Sequence, residues 1–169
     1  MIEWFSSKFA MFIAATIMIS SVIGFFKIQH ENFKEHEIQS IADAISSAVN
    51  TVSSSASELK LRVTFNSSQS GIKLPTKIGG RNYEIEITPN LAIVIWNGAT
   101  KVSTFSKSIC LWNPVELKYI TAEGLDAVNS RMKTISCHSY EDFFIANKLI
   151  DFPEGSKYLT FVWLERSEP

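Results

Sequence analysis

The residues of this chain that could do chemistry are few. Histidine occurs only at His30, His36 and His138. The first two are six positions apart, a spacing that does not place both on one helical face, so a metal pair of the i,i+4 type is absent. Histidine therefore gives no basis for a metal site.

Three other groups of residues contain side chains or backbone amides that could take part in catalysis or binding. Cys137 and His138 come shortly before two acidic residues, which would suit a thiol nucleophile or a metal cluster, but adjacent residues of a strand point to opposite faces. Glu84 and Glu86 alternate with apolar residues and are expected to face solvent rather than to form a catalytic pair. The backbone amides of "KIGGR" at 77–81 could hold an anion, although a glycine pair before a strand is more often a turn.

Motifs with a known catalytic mechanism are also missing. The sequence has no G-x-S-x-G, no phosphate-binding loop, no H-E-x-x-H and no C-x-x-C. Lysine and arginine number 16 against 17 aspartates and glutamates, and the net charge of -1 gives no electrostatic case for nucleic-acid binding. We therefore expect a non-enzymatic protein with no cofactor, no metal and no nucleic-acid partner.

The elements around these residues begin with an uncharged apolar run, "FAMFIAATIMISSVIGFF", from Phe9 to Phe26. Its 18 residues lack proline and reach the short end of the length that spans a bilayer. The alternative is a cleaved signal peptide, with the cut after Gly24. We expect residues 1–26 to form a transmembrane segment that stays in the mature protein, because the helical pattern continues beyond it.

The continuation, residues 27–57, has the pattern of an amphipathic helix. Apolar residues recur at steps of three and four, with charged residues on the other side, so a single helix of about 44 residues is allowed over 9–52. Serines at 53–57 should end it. We expect its apolar stripe to be buried against the head, and this stripe consists of Ile38, Ile41, Ile45, Val49 and Val52.

Small residues in the apolar half bear on partners. Ser20 and Gly24 form a small-xxx-small pair, a spacing that lets helix backbones approach closely in membranes. The alternative is that small residues are merely common in spans. Glu3 could pair with another chain's N-terminal amine or favour the positive end of the helix dipole. The residues expected to contact other helices are Glu3, Ala10, Ala14, Ile17, Ser21 and Gly24.

Beyond Ser57 the period changes from 3.6 to 2, which indicates strands. "LKLRVTF" and "YEIEI" alternate, and "LAIVIW" suits a central strand. Asn97-Gly98 favours a type I′ hairpin turn into the next strand, "TKVSTFSKSICLW", which contains Cys110. "TAEGLDAVNSRM" predicts a short helix capped by Thr121, and strands resume at "KTISC", "DFFIANKLI" and "KYLTFVWLER". We expect an α+β fold in which the long helix packs on a mostly antiparallel, sandwich-like β-rich head at 58–169.

The two cysteines, Cys110 and Cys137, are 27 positions apart, each within a predicted strand. If the head is outside the cell, a disulfide between neighbouring strands is favoured, whereas a cytosolic location would imply two buried free thiols. We expect the disulfide. Asn66 begins a glycosylation sequon that occurs too often by chance to decide anything.

This architecture resembles that of type IV pilins and their archaeal relatives, which have a long apolar-then-amphipathic helix with a β-rich head on its second half. "IKLPTKIGGRNYEIEI", Ile72–Ile87, is similar to an "LP..IGG..Y.I.I" pattern of archaeal pilin-like, membrane-anchored proteins, and "LWNP" at Leu111–Pro114 matches a later segment. The N-terminus departs from the pilin pattern, because "MIEWFSSK" shows no leader cleavage site. Glu3 is the residue that could stand in for the pilin glutamate.

The resemblance implies a single-pass protein of the cell membrane with an extracellular head. Its function would be that of a structural or accessory subunit of a type IV pilus-like filament or secretion machine. Its partners would be the lipid bilayer and other pilin-like subunits or membrane assembly proteins. The alternative is a single-pass, membrane-anchored extracellular binding module. In that case the helix has only to be apolar and needs no surface for other helices.

Overall fold

The computed structural model describes residues 2–65, 70–114, 117 and 119–165, and it describes side chains from residue 9 onward except that of residue 10. The chain divides into two units, Met1–His36 and Glu37–Pro169. Residues 37–57 of the predicted amphipathic continuation therefore belong to the unit that contains the sheets, and residues 27–36 belong to the other unit. Asn66, with its sequon, lies outside the described residues.

The first element is one helix, α1, which runs from Ile2 to Ser54. It contains no proline and a single glycine, so nothing in the sequence interrupts the hydrogen-bond ladder. It ends in the serine cluster, where the hydroxyls of Ser53 and Ser54 donate back to the carbonyls of Asn50 and Thr51 at 3.0 and 3.1 Å. Such local bonds compete with continuation of the helix.

Within the residues that the structure describes, eight strands and a second helix follow. They are β1 (Leu59–Thr64), β2 (Ile72–Lys73), β3 (Glu84–Ile87), β4 (Leu91–Trp96), β5 (Ala99–Thr104), α2 (Ala122–Asn129), β6 (Ile135–His138), β7 (Phe143–Phe152) and β8 (Gly155–Leu164). The strands form two four-stranded sheets, in the orders β2-β1-β7-β8 and β5-β4-β3-β6. Every described pairing of strands is antiparallel except that of β1 with β2.

The core explains why α1 and the sheets form one head. Alternate residues of β3 and β4 are buried, and they join the inner residues of β1, β7 and β8 in one hydrophobic cluster. The same cluster contains one face of α1 from Ile38 to Val52. The α+β fold expected from the sequence, a long helix packed on mostly antiparallel sheets, is therefore confirmed.

A second, smaller cluster covers part of the outer face of the first sheet. It is built on Cys110, Ile150 and Phe161, with α2 and the segment before it packed against them. Thr121 caps α2 as predicted, since its hydroxyl accepts from the amide of Gly124 at 3.2 Å. The helix is shorter than the predicted 121–132, and none of its residues is buried.

The short strand β2 was not predicted from the sequence. It pairs in parallel with β1, Val63 opposite Ile72, and two residues are too few for a visible alternation. Gly71 permits the approach: its φ is 142°, and a Cβ there would lie 2.3 Å from the carbonyl oxygen of Arg62.

Candidate functional site: the apolar helix segment and the helix joint

The apolar segment, Phe9–Phe26 of α1, exposes its large side chains on every side. Exposed fractions range from 44% at Ile13 to 71% at Phe12. The most apolar 18-residue window of this part of α1 has a mean hydropathy of 2.0, and none of it is buried. Among the described residues, one helix, near the N-terminus, is therefore long and apolar enough to cross a membrane.

Two hydroxyls within this segment are satisfied by the helix itself. Thr16 donates to the carbonyl of Phe12 and Ser21 to that of Ile17, each at 2.9 Å. Such bonds to the preceding turn spare a hydroxyl the cost of lacking a partner in an apolar medium. The polar atoms of these two residues are thus compatible with lipid or with a neighbouring apolar helix.

The small-residue face predicted to contact other helices is open. Ala14, Ile17 and Ser21 are exposed, and a Cβ added at Gly24 would meet no atom within 4 Å. The structure contains a single chain, so it brings no partner to this face. The side chains of Glu3 and Ala10, the other two residues of the prediction, lie outside those described.

The helix joint, defined as the contact of residues 38–57 (the end of α1 and the turn after it) with the sheets, has an apolar and a polar part. The apolar part is the predicted stripe. All five of its side chains are at most 3% exposed, and they are Ile38, Ile41, Ile45, Val49 and Val52. Two alanines of the same face, Ala42 and Ala48, are also buried, so the backbone of α1 can lie close to the sheets.

The polar part of the joint ties α1 to the end of β5. Ser46, 5% exposed, donates to the carbonyl of Thr104 at 2.6 Å. The side-chain oxygen of Asn50 accepts from both the amide and the hydroxyl of Ser106, each at 2.8 Å. Lys107 donates to the carbonyl of Ser53 at 3.0 Å, where the positive charge faces the negative end of the helix.

A buried amide secures the residues that follow α1. Asn147 on β7 is 2% exposed, and its nitrogen donates to the carbonyls of Ser55 and Ser57 at 2.9 and 3.3 Å. The sequence interpretation missed Asn147 and Asn50. The sequence contains only a weak indication of either residue. Asn147 is an amide at an apolar position of a predicted strand, and Asn50 is an amide beside the hydrophobic stripe of α1.

The residues first considered for chemistry have ordinary structural surroundings. Cys137 is buried while His138 is exposed, as the alternation of a strand requires. His138 contacts Glu141 through its backbone amide at 2.8 Å and its ring Nδ1 at 3.3 Å. Glu84 and Glu86 are half-buried on the outer face of β3. Among the described residues, no group of three or more His, Cys, Asp or Glu side chains is arranged to hold a metal ion.

The "KIGGR" segment is a turn. Ile78 and Arg81 exchange two backbone hydrogen bonds, at 2.9 and 3.1 Å. Between them, Gly79 and Gly80 have φ values of 55° and 81°, which suits the type I′ geometry of a two-residue hairpin loop.

The expected disulfide between Cys110 and Cys137 is not formed, because both cysteines carry free, buried thiols. Cys110 lies beyond β5 in an isolated bridge with Phe161, rather than in a strand of its own, and belongs to the smaller cluster. Cys137 lies opposite Ile85 in the other sheet, within the main core. Burial raises the pKa of Cys137 to about 12, with Glu141 and Glu84 adding to the effect, so this thiol is a poor nucleophile.

The apolar segment and the helix joint therefore form the candidate functional site of α1. The first exposes a surface that water solvates poorly, and the second fixes the end of α1 to the sheets. In comparisons with known proteins, the chain matches no family model, no curated protein and no solved structure.

Proposed function

We propose that this protein is a pilin-like, membrane-anchored cell-surface protein. In this proposal the apolar segment spans the membrane once, the head lies outside the cell, and the chain is a structural or accessory subunit of a type IV pilus-like filament or secretion machine. The observation that carries the proposal is the division of α1 into an exposed apolar half and a half that is part of the core of the head.

The exposed half supports a location among lipids or other apolar helices. A helix that is apolar on all sides is stable only when it is buried, and burial of each large apolar side chain is worth roughly 1.5–3 kcal/mol. The segment from Phe9 to Phe26 has no such burial within the chain. Membrane insertion or association with neighbouring helices would supply it.

The joint supports a role in which load passes through α1. Its stripe is buried in the main core. Four side chains form hydrogen bonds at the joint: Ser46 and Asn50 on α1, Lys107 after β5 and Asn147 on β7. A tether that did no more than keep the head near the membrane would not need a core of this kind. A filament or machine subunit would, because force is transmitted only through a joint that does not bend.

An anchored extracellular binding module is the second candidate. In a binding module the apolar segment has only to anchor the protein, so it needs no contact with other helices. The test is to replace Ala14 and Ser21, which are seven positions apart on one face, by leucine. Both substitutions keep the segment apolar, so the protein should still insert, but they remove the small surface at which helices approach.

The control is Ala15→Leu with Val22→Leu, which also adds bulk to the apolar segment, but on a different face. Complexes would be sized after crosslinking in native membranes. The proposal expects the first pair to abolish complexes that contain other subunits, while the control leaves them intact. Equal complex formation by both variants would contradict it and favour the lone anchor.

Two further measurements test the topology. Protease added to intact cells should digest the head if it is extracellular, whereas digestion that requires lysis would place it inside. Intact-mass measurement on protein from the native host should find residues 9–26 present. A mature chain that begins at Phe25 would show instead that the segment is a signal peptide.

A further inference from the structure

The outer face of the first sheet has a cleft at Ala146. This small residue on β7 lies opposite Lys60 of β1 on one side and Phe161 of β8 on the other. The cleft has a volume of about 290 Å³. Its apolar wall includes the indole of Trp163 and the ring of Pro114.

The polar groups that line the cleft have a net positive charge. Two ammonium groups, of Lys60 and Lys148, line it together with one carboxylate, that of Glu58, and the amide of Asn113. Glu58 already accepts a hydrogen bond from the amide of Leu149 at 3.2 Å, and Lys148 donates to the carbonyl of Pro114 at 2.7 Å. The formal charge of the lining is therefore +1.

The aromatic groups hold Lys60 in position. Its Nζ lies 4.0 Å from the centre of the Phe144 ring and 5.3 Å from that of Trp163. The two rings are themselves 5.5 Å apart. Cation–π attraction of this kind fixes an ammonium group while leaving its N–H groups able to donate.

A second cavity of about 430 Å³ is adjacent, because it shares Trp163 and Asn113 with the first. Its other lining residues include Trp112, Thr134 and Ser136, which add an aromatic ring and two hydroxyls. A ligand longer than one ring could therefore occupy both cavities, with Trp163 between its parts.

We propose that this cleft binds an acidic saccharide, with a sugar ring against Trp163 and its carboxylate at Lys60 and Lys148. The axial C–H groups of a pyranose pack on the electron-rich face of an indole, and its hydroxyls suit the amide of Asn113 and the carboxylate of Glu58. Charge-assisted hydrogen bonds from the two ammonium groups select an acid over a neutral sugar. The proposal concerns the head alone and does not depend on the function proposed for α1.

The test is calorimetric titration of the full chain in detergent micelles. The ligands are D-glucuronate, the disaccharide of two D-glucuronate units, D-glucose and acetate. We expect the two glucuronates to bind more tightly than glucose, the disaccharide most tightly, and acetate to bind weakly or not at all. Absence of glucuronate binding would overturn the proposal. Equal binding of glucose would also overturn it, and so would equal binding of acetate, which would show a site for anions alone.

Variants locate the site. Ala146→Leu fills the floor of the cleft without removing a polar group and should abolish binding. Lys60 is exposed, so Lys60→Met should fold normally and weaken glucuronate binding roughly tenfold or more, with little effect on glucose. Lys77→Met, in the exposed turn before β3, is the matched control and should change nothing. Unchanged glucuronate binding by Lys60→Met would overturn the assignment even if Ala146→Leu fails to fold.

Discussion

The side-chain nitrogen of Asn147 donates a hydrogen bond at 2.9 Å to the carbonyl oxygen of Ser55, which lies 92 positions earlier in the chain. Asn147 is 2% exposed, so its side-chain amide has little access to water as an alternative partner. This single contact joins the end of α1 to a central strand of the first sheet. It makes the position of the helix end dependent on a residue that only folding brings near.

Replacing Asn147 by leucine should lower the free energy of unfolding by about 1–3 kcal/mol, because leucine keeps the volume but removes both hydrogen bonds to the carbonyls of Ser55 and Ser57. Thermal and denaturant unfolding in detergent would measure the loss. Ser57→Ala, which keeps the carbonyl that Asn147 also contacts, should be nearly neutral. Equal stability of Asn147→Leu and the parent would mean that this contact does not hold the helix end.

Ile45→Asp should destabilise the head by about 4 kcal/mol or more, since it places a carboxylate in a fully buried apolar site. Ser47→Asp introduces the same group on the exposed side of α1 and is the matched control. The two variants would be compared by melting temperature. If Ile45→Asp melted within a degree or two of the parent, the second half of α1 would be a detached stalk.

Alanine should destabilise the protein by different amounts at Gly98 and at Gly71. Gly98→Ala strains a turn in which Asn97 and Gly98 have φ values of 48° and 82°, but no atom lies within 4 Å of the added Cβ. A loss of about 1 kcal/mol is expected. Gly71→Ala should cost more, because its Cβ would collide with the Arg62 carbonyl. Unfolding by denaturant would measure the stability lost by each variant. A larger loss for Gly98→Ala than for Gly71→Ala would contradict the prediction.

Both cysteines should react once the protein is unfolded without reductant. Because Cys110 and Cys137 lie in different hydrophobic clusters, alkylation in denaturant followed by intact-mass measurement should add two labels, and alkylation of the native protein far fewer. A chain that takes up no label until it is reduced would show that the two are joined.

Stability should decline at alkaline pH. The pKa of Cys137 is raised to about 12 from an ordinary value of 9.0, so between these values the unfolded chain loses a proton that the folded chain keeps. The free energy of unfolding therefore falls as the pH rises above 9, by up to about 1.4 kcal/mol per pH unit for this group. Burial also raises the pKa of Cys110 and Tyr83, which acts in the same direction.

The variant Cys137→Ala isolates the contribution of one thiol to this decline. It should be less stable than the parent at pH 8, because a buried side chain is shortened. Its stability should then fall less steeply between pH 9 and 11. Parallel curves for the two proteins would show that Cys137 ionises equally in both states.

Local periodicity was enough to predict most elements. The steps of three and four in α1, the alternation in β1 and β3, and the Asn97-Gly98 turn each depend on residues a few positions apart. The segments found as strands therefore agree closely with those expected, apart from two. Strand β2 has two residues and pairs beside Gly71, and β5 ends at Thr104 instead of continuing to Cys110. The apolar run before Lys27 was visible in composition alone.

Tertiary structure decided what depends on segments that are distant in the chain. Cys110 was expected in a strand near Cys137, but β5 ends at Thr104, and the segment beyond it crosses to the other sheet to bridge Phe161. Spacing along the chain does not determine which sheet a loop joins, because that choice depends on the packing of all the elements together. The contacts of Asn147 and Trp163 could not be predicted for the same reason. Asn147 donates to carbonyls 92 and 90 positions earlier in the chain, and Trp163 lines a cleft together with Lys60 and Pro114, so no local pattern indicates these contacts.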